Sequence, residues 1–503
     1  MLGEFGYQIA TKDSSIFICA NSNQGLVYGV YGLLHELLSF ETYTATYYYI
    51  DRNVENLELP TLNIVDVPDI DYRVPVSGEL MQYTSATNLA RNRMRLQNTG
   101  DVIIDGGQAH NMASMIVPFS EWLASKPNWF YVKDGGVKQL CYTAHGNTSD
   151  YNAMVAEAAD NIKALIAADT AANLFSLTQM DTKNWCDCSA CSALKTQYGT
   201  DAVGQIRFVN DVTDIVNAWL ESDCGGRKVQ FAIFAYYTTE TAPATQGADG
   251  IWTAIDDTVV LNDNVSVWVA PIGEEFNKAS SNTNIDNLLD SWNACAKSCF
   301  IWAYSVYFNN YMIPYDSYDQ IQGLVQTAVE HNAKFFWAQG NYDTNQNSGF
   351  DDLKNYLFAK LTWDSTLDVD TLIDNYFNAV YGGGTAAAQM KAAFENWRVI
   401  SKNSDLSGNI YHAPDSWWDF ASNYTTSFLK NQLVYMEAAI QALDKTDADY
   451  QVRYDSIMCE TICWRYIYKE KSGSEYKSSV WSTSLSEDIS RLGFTRVAEG
   501  KGF

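Results

Sequence analysis

The chain has 503 residues, of which 47% are hydrophobic and 18% charged. That composition supports a large buried core and excludes whole-chain disorder, collagen and coiled coil. Lys and Arg number 33 against 60 Asp and Glu, a formal charge of −27 at pH 7, so the surface repels phosphate backbones and anionic lipid and argues against nucleic-acid binding. No apolar run reaches the roughly 18 residues of a membrane span. The 15 Trp, 32 Tyr and 22 Phe serve first as an aromatic core, and any ring left at a cleft is a stacking surface for a sugar.

In chain order, Leu2-Gly3-Glu4-Phe5-Gly6-Tyr7 reads as the middle of a domain. An upstream segment, with a secretion signal in it, is therefore expected, and with it a secreted or cell-surface location. Tyr7–Ala10 and Ser15–Cys19 read as strands around a Lys12-Asp13-Ser14 turn. Gly25 to Phe40 reads as an amphipathic helix, with Val27, Val30, Tyr31, Leu34, Leu37 and Leu38 on a helical period. Pro60 and Pro68 mark a linker, so residues 1–68 form a small α+β domain.

From Tyr72 the pattern alternates strand and helix. The expected strands are Val74–Ser77, Met94–Gln97, Lys138–Tyr142, Leu174–Gln179, Val229–Tyr236, Val265–Ala270, Cys299–Tyr304 and Lys334–Ala338. Helices are expected over Tyr151–Ala168, Ala202–Glu221, Asn284–Lys297 and Tyr318–His331. Eight short apolar runs over about 290 residues fit an α/β fold of the (β/α)8 TIM type over residues 69–365. Beyond it, Asp368–Val380, Thr385–Ser401, Ser427–Leu443 and Asp449–Glu470 read as helices, so residues 366–503 form a helical domain.

Barrel chemistry sits on the loops after the strands. Asp181 follows the apolar run Leu174–Met180, the place of an acid, a base or an orienting group, or of a helix cap. Glu240, Glu274 and Glu275 follow later strands. Each is a candidate second carboxylate or a solvated loop charge. His110 follows Gly106-Gly107-Gln108-Ala109 and is suited to bonding a hydroxyl or tuning a carboxylate, or to a structural role. Trp302, Tyr304, Tyr307, Trp337 and Tyr342 stand near the last two strand ends, and strand alternation assigns about half of such residues to the core. Walker A, dinucleotide and HExxH motifs are missing, and no cofactor is expected.

Three cysteines stand in CxCxxC spacing at Cys186, Cys188 and Cys191. With Cys141 they admit a structural zinc site, a disulfide plus a free thiol, or merely a tight Cys-lined loop. Cys295/Cys299 and Cys459/Cys463 are i,i+4 pairs that would share a helix face.

These segments carry a resemblance. Gly25-Leu26-Val27-Tyr28-Gly29-Val30-Tyr31-Gly32-Leu33-Leu34 resembles the small domain that precedes the barrel in α-glucuronidases and β-hexosaminidases. Gln108-Ala109-His110, Met180-Asp181 with the CxCxxC loop, Ile301-Trp302-Ala303-Tyr304, and Ala338-Gln339-Gly340-Asn341 followed by Leu353–Asp364 are similar to one bacterial barrel family. Part of that family is glycoside hydrolase family 163, the endo-β-N-acetylglucosaminidases of complex N-glycans. The resemblance implies a retaining hydrolysis assisted by the substrate's 2-acetamido group, an exception to the two-carboxylate nucleophile scheme. It implies Asp181 in one catalytic role and Glu274 or Glu275 in the other. His110, Tyr236, Trp302, Tyr304, Trp337, Gln339 and Asn341 would then position a glycan or glycoprotein substrate. Ala303 departs from the acid expected before the Tyr, which puts specificity or catalysis in question. The alternatives are an α-glucuronidase-like exo-glycosidase, which needs a basic residue for the uronate, and a non-catalytic glycan-binding protein. The oligomeric state is not legible.

Overall fold

The computed structural model describes residues 2–52, 57, 59–81, 84–97, 109–403 and 423–503. The chain opens with a three-stranded antiparallel sheet, in which β1 (Tyr7–Lys12) lies between β2 (Ser15–Ala20) and β3 (Asn63–Asp66). Helix α1 (Asn23–Leu38) is capped by the Ser22 hydroxyl, which accepts from the Gly25 amide at 2.9 Å. Its buried face is not the expected aliphatic stripe. Gly25, Tyr28, Gly29 and Gly32 are buried, while Val27 and Val30 are exposed. The cause is close approach: a Cβ on Gly32 would overlap the Tyr7 ring, and one on Gly29 would overlap Ile18.

The main sheet is parallel. Its strands are β4 (Tyr72–Val76), β5 (Leu174–Ser176), β6 (Gln230–Ala235), β7 (Val265–Val269), β8 (Cys299–Tyr304) and β9 (Phe335–Gln339), in the order β4-β9-β8-β7-β6-β5. Helices follow most of them: α2 (Ser85–Arg93), α3 (Thr148–Ala168), α4 (Ser189–Tyr198), α5 (Ala202–Asp223), α6 (Ser280–Asn293), α7 (Tyr318–Glu330) and α8 (Asp351–Trp363). The observed architecture is a mixed α/β fold around a six-stranded parallel half-barrel.

Two of the eight expected strands are not in this sheet. Gly136–Leu140 pairs antiparallel with Phe130–Lys133, because Asp134 and Gly135 both have positive φ, at 51° and 76°, and close a tight hairpin. Met94 caps α2 rather than opening a strand. Past it, the Gln97 amide donates to the Arg73 carbonyl at 3.1 Å on the β4 edge. At the other edge the Met112 amide donates to the Thr178 carbonyl at 3.0 Å. The expected loop residues Gly106, Gly107 and Gln108 lie outside the described residues.

The inner face of the half-barrel is packed with rings. Trp302 stacks on Trp337 at 4.4 Å between centroids. Trp268 meets Phe300, Phe335 and Trp337 edge-on at 4.9–5.9 Å. The outer face meets the helices, as in the Phe336–Phe358 contact at 5.3 Å. Cys295 follows α6 and Cys299 opens β8, so this pair shares no helix face, unlike the second pair.

Among the described residues five helices follow: α9 (Val369–Val380), α10 (Gly384–Asn403), α11 (Thr426–Ala442), α12 (Tyr450–Ser472) and α13 (Leu485–Leu492). One continuous hydrophobic cluster runs from the sheet into them and includes Trp397, Met436 and Trp464. A polar tie reinforces it. Glu460 on α12 is buried and accepts from the Phe350 amide at 2.6 Å and from the Tyr381 hydroxyl at 3.2 Å. Burial, reinforced by the charges of Asp352 and Asp351, pushes its carboxyl up to about 8. Ser348, on the loop after β9, donates to the Cys459 carbonyl at 2.7 Å and accepts from the Cys463 amide at 3.1 Å.

Candidate active site

Asp181 is exposed just beyond β5, at the carboxyl end of the parallel sheet. The Tyr236 hydroxyl, at the end of neighbouring β6, donates to its Oδ1 at 2.9 Å. A buried polar network holds the two strand ends together. Gln179 donates to the Thr239 hydroxyl at 2.8 Å and to the Phe234 carbonyl at 3.3 Å, and Gln205 on α5 donates to the Gln179 side-chain oxygen at 3.1 Å. Burial first, then the neighbouring Tyr304 and the Asp181 charge, hold the Tyr236 phenol far above its ordinary range, so it stays a proton donor.

His110 has a left-handed backbone, with φ 56°. Its amide donates to the Thr178 hydroxyl at 2.7 Å, and its Nδ1 lies 2.9 Å from the Gln179 carbonyl. The ring packs on Phe234 and Tyr236 at 5.4 and 5.8 Å. His110, Tyr236 and Asp181 therefore converge, although about 70 residues separate the histidine from the aspartate.

The expected aromatic platform divides. Trp302 and Trp337 are 8% and 4% exposed and pack on each other, so they serve as the floor. The Trp302 indole N–H donates to the Gln339 side-chain oxygen at 2.7 Å, which orients Gln339 at the β9 end. Asn341 is buried and accepts from the Ser77 hydroxyl at 3.0 Å; that bond joins the ends of β4 and β9. Tyr304 is buried beside Tyr236, with Phe276 at 5.8 Å. The half-exposed rings around Asp181 are Tyr237 and Tyr342.

The three expected catalytic carboxylates do not form one hydrogen-bonded group. Glu274 accepts from the Asn284 amide at 3.0 Å. The charge of Glu275 is felt by the buried phenols of Tyr307 and Tyr315. Glu240, four residues after Tyr236, has the distinctive environment: burial, then the charge of Glu274, pushes its carboxyl up to about 7. Glu499 was not singled out in the sequence. It accepts from the Tyr342 hydroxyl at 2.8 Å, and its amide donates to the Phe308 carbonyl at 2.8 Å. Its charge and that of Asp181 both act on Tyr237 and Tyr342, so residues 496–501 edge this site. No local pattern announces that placement.

Ala303 lies on the helix-facing side of β8, in register with Ala338. It lines a cavity of about 50 Å³ with Leu324, Phe358 and Lys354. An acid at this position would face the buried Lys354 rather than Asp181. A far larger cavity, of about 1040 Å³, opens at the opposite, amino-terminal end of the strands among Tyr72, Leu174, Gln230, Asn264 and Phe300. Its size does not make it the site, because the loops that carry convergent polar groups are at the other end.

Beside the Asp181 loop, Cys141, Cys186, Cys188 and Cys191 bring their sulfurs within 4.8 Å of one another, and none of the four is joined in a disulfide. Among the described residues no helix is long and apolar enough to cross a membrane.

No curated protein matches the chain. Among solved structures, one titled "Structure of CpGH84B" is similar with a TM-score of 0.37 and 13% sequence identity, over 93% of this chain and 78% of that one. Residues 42–396 match the family described as "Domain of unknown function (DUF4838)", and the chain belongs to that family.

Proposed function

We propose that the chain is a glycoside hydrolase acting on N-acetylhexosamine-containing glycans, of endo-β-N-acetylglucosaminidase type, with a retaining, acetamide-assisted mechanism. The observation that carries this reading is the Asp181–Tyr236 pair at adjacent strand ends, above an aromatic floor. Asp181 accepts the acetamide N–H and directs the carbonyl oxygen at the anomeric carbon. Tyr236, held protonated, fixes the carboxylate. Glu240, rather than Glu274, supplies the proton, because a carboxyl titrating near 7 is still available as an acid at neutral pH. The acetamide oxygen bonds to the anomeric carbon as the bond to the leaving oxygen breaks and that oxygen takes the Glu240 proton. Water then opens the oxazoline with Glu240 as base, which retains the anomeric configuration.

The test is mass spectrometry of a complex N-glycoprotein and a panel of aryl glycosides after incubation with the protein. Glycan release that leaves a single N-acetylglucosamine on the protein supports the reading. Silence across the panel from folded protein refutes it and favours glycan binding without turnover. Lys183, whose Nζ lies 5.2 Å from the Tyr237 ring, favours an acidic sugar as the second reading. An aryl glucuronide in the same panel tests that.

A further inference from the structure

We propose that Cys141, Cys186, Cys188 and Cys191 bind a structural Zn²⁺ through four thiolates. The geometry carries this independently of the glycosidase reading. A zinc ion takes four sulfurs at about 2.3 Å in a tetrahedron, whose edges are then about 3.8 Å. The Cys141 sulfur lies 3.8 Å from that of Cys188 and 3.8 Å from that of Cys191, and all four sulfurs lie within 4.8 Å of one another. A disulfide would draw one pair to about 2.05 Å and turn it away from the other two. The cluster instead keeps one centre.

The surroundings are those of coordinated thiolates. The His145 amide donates to the Cys141 sulfur at 3.1 Å, and the Cys191 amide to the Cys188 sulfur at 3.5 Å. The Thr143 hydroxyl lies 3.2 Å from the Cys191 sulfur. Such hydrogen bonds spread the negative charge of a four-thiolate site. A set of neutral thiols, which are weak acceptors, gives those amides little. Three of the four cysteines are buried, Cys188 is half-buried, and Tyr131 packs against them, so the site is closed, as structural rather than catalytic zinc requires.

The ligands come from three places. Cys141 follows the Phe130–Leu140 hairpin, Cys186 and Cys188 lie on the loop after β5, and Cys191 lies in the first turn of α4. The ion would staple the hairpin to the loop that begins with Asp181. Trp185 stacks on Tyr142 at 5.4 Å within the same junction. Binding displaces the thiol protons, so assembly takes up zinc and releases protons.

The experiment is metal analysis by inductively coupled plasma mass spectrometry of the whole chain, produced with zinc present and purified without chelator under reducing conditions. Zinc near one per chain is expected. It should be released by an organomercurial thiol reagent and detected with a zinc-sensitive dye. Replacement by Co²⁺ should give the intense red-region ligand-field bands of a tetrahedral thiolate site. Cys188→Ser with Cys191→Ser should lose the zinc, whereas Cys224→Ser, away from the cluster, should keep it. If the double variant does not fold, the stoichiometry and cobalt spectrum of the unmodified chain decide. Zinc well below stoichiometric, iron in its place, or a disulfide among the four in non-reducing peptide mapping would overturn the proposal.

Discussion

Glu460→Gln isolates the energetics that join the last helices to the half-barrel. The glutamate is wholly buried, accepts from the Phe350 amide and the Tyr381 hydroxyl, and titrates near 8 in the folded chain against 4.5 ordinarily. Between those two values the folded state holds a proton that the unfolded state has lost. Stability therefore falls as pH rises through the interval, and the loss is complete above about 8. The slope is 1.36 kcal/mol per pH unit for one proton. Over the interval from 4.5 to about 8 this amounts to about 5 kcal/mol, a ceiling because relaxation and water entry moderate buried shifts. Glutamine is isosteric with the neutral acid and keeps an oxygen for the Phe350 amide, so the variant lacks this pH dependence. Thermal melts of both proteins at pH 5, 6.5, 8 and 9, with hydrogen exchange across residues 345–365, should show a gap that widens in the variant's favour as pH rises. Asp352, also raised by burial, to about 6, acts on Glu460 through its charge, so the same pair compared in an Asp352→Asn background separates the two titrations. A gap independent of pH, or a variant less stable at pH 9, would refute the neutral buried acid.

Four further outcomes are expected. Asp181→Asn should reduce glycan release by about 100-fold or more with an unchanged melt; near-normal turnover removes Asp181 from the chemistry. The unmodified protein's turnover should fall as pH rises through about 7, because an acid must be protonated to donate, and Glu240→Gln should abolish that limb; an alkaline limb that survives in Glu240→Gln assigns the acid elsewhere. Tyr236→Phe should lower turnover less than Asp181→Asn while the Asp181 carboxylate loses its fixed partner; equal loss in both variants would place Tyr236 in the reaction itself. Gly32→Ala should cost about 1–3 kcal/mol through overlap with Tyr7, read as a lower melting temperature; an unchanged melt would mean the helix can retreat freely.

What was legible in the sequence follows physical range. Runs such as Cys299–Tyr304 and Val265–Ala270 are buried on both faces and read as strands without help from elsewhere. The tail helices appear within a few residues of their expected bounds. The α1 packing face is not visible in aliphatic periodicity, because its determinant is the closeness of Tyr7 and Ile18. The hairpin at Phe130–Leu140 is signalled by Asp134-Gly135-Gly136, but the apolar Leu140-Cys141-Tyr142 that ends it resembles a parallel-sheet strand. In the site, Asp181 was marked by its position after an apolar run. Glu240 was one loop acid among several until burial and Glu274 distinguished it. Glu499, 318 positions beyond Asp181 in the chain, has no local signature.

The rings that fill the half-barrel have an optical consequence. Trp302 and Trp337 lie 4.4 Å apart with planes 23° from parallel, and Trp268 stands nearly perpendicular to Trp337 at 5.9 Å. Indoles this close and this rigid couple their electronic transitions. The native chain should therefore carry an intense, structured near-ultraviolet circular dichroism couplet that vanishes when the sheet loosens, even while helices persist. Because Gln339 bridges that array to the Asp181 end through Trp302, a sugar bonded to Gln339 would perturb the same signal and give a label-free titration of the site.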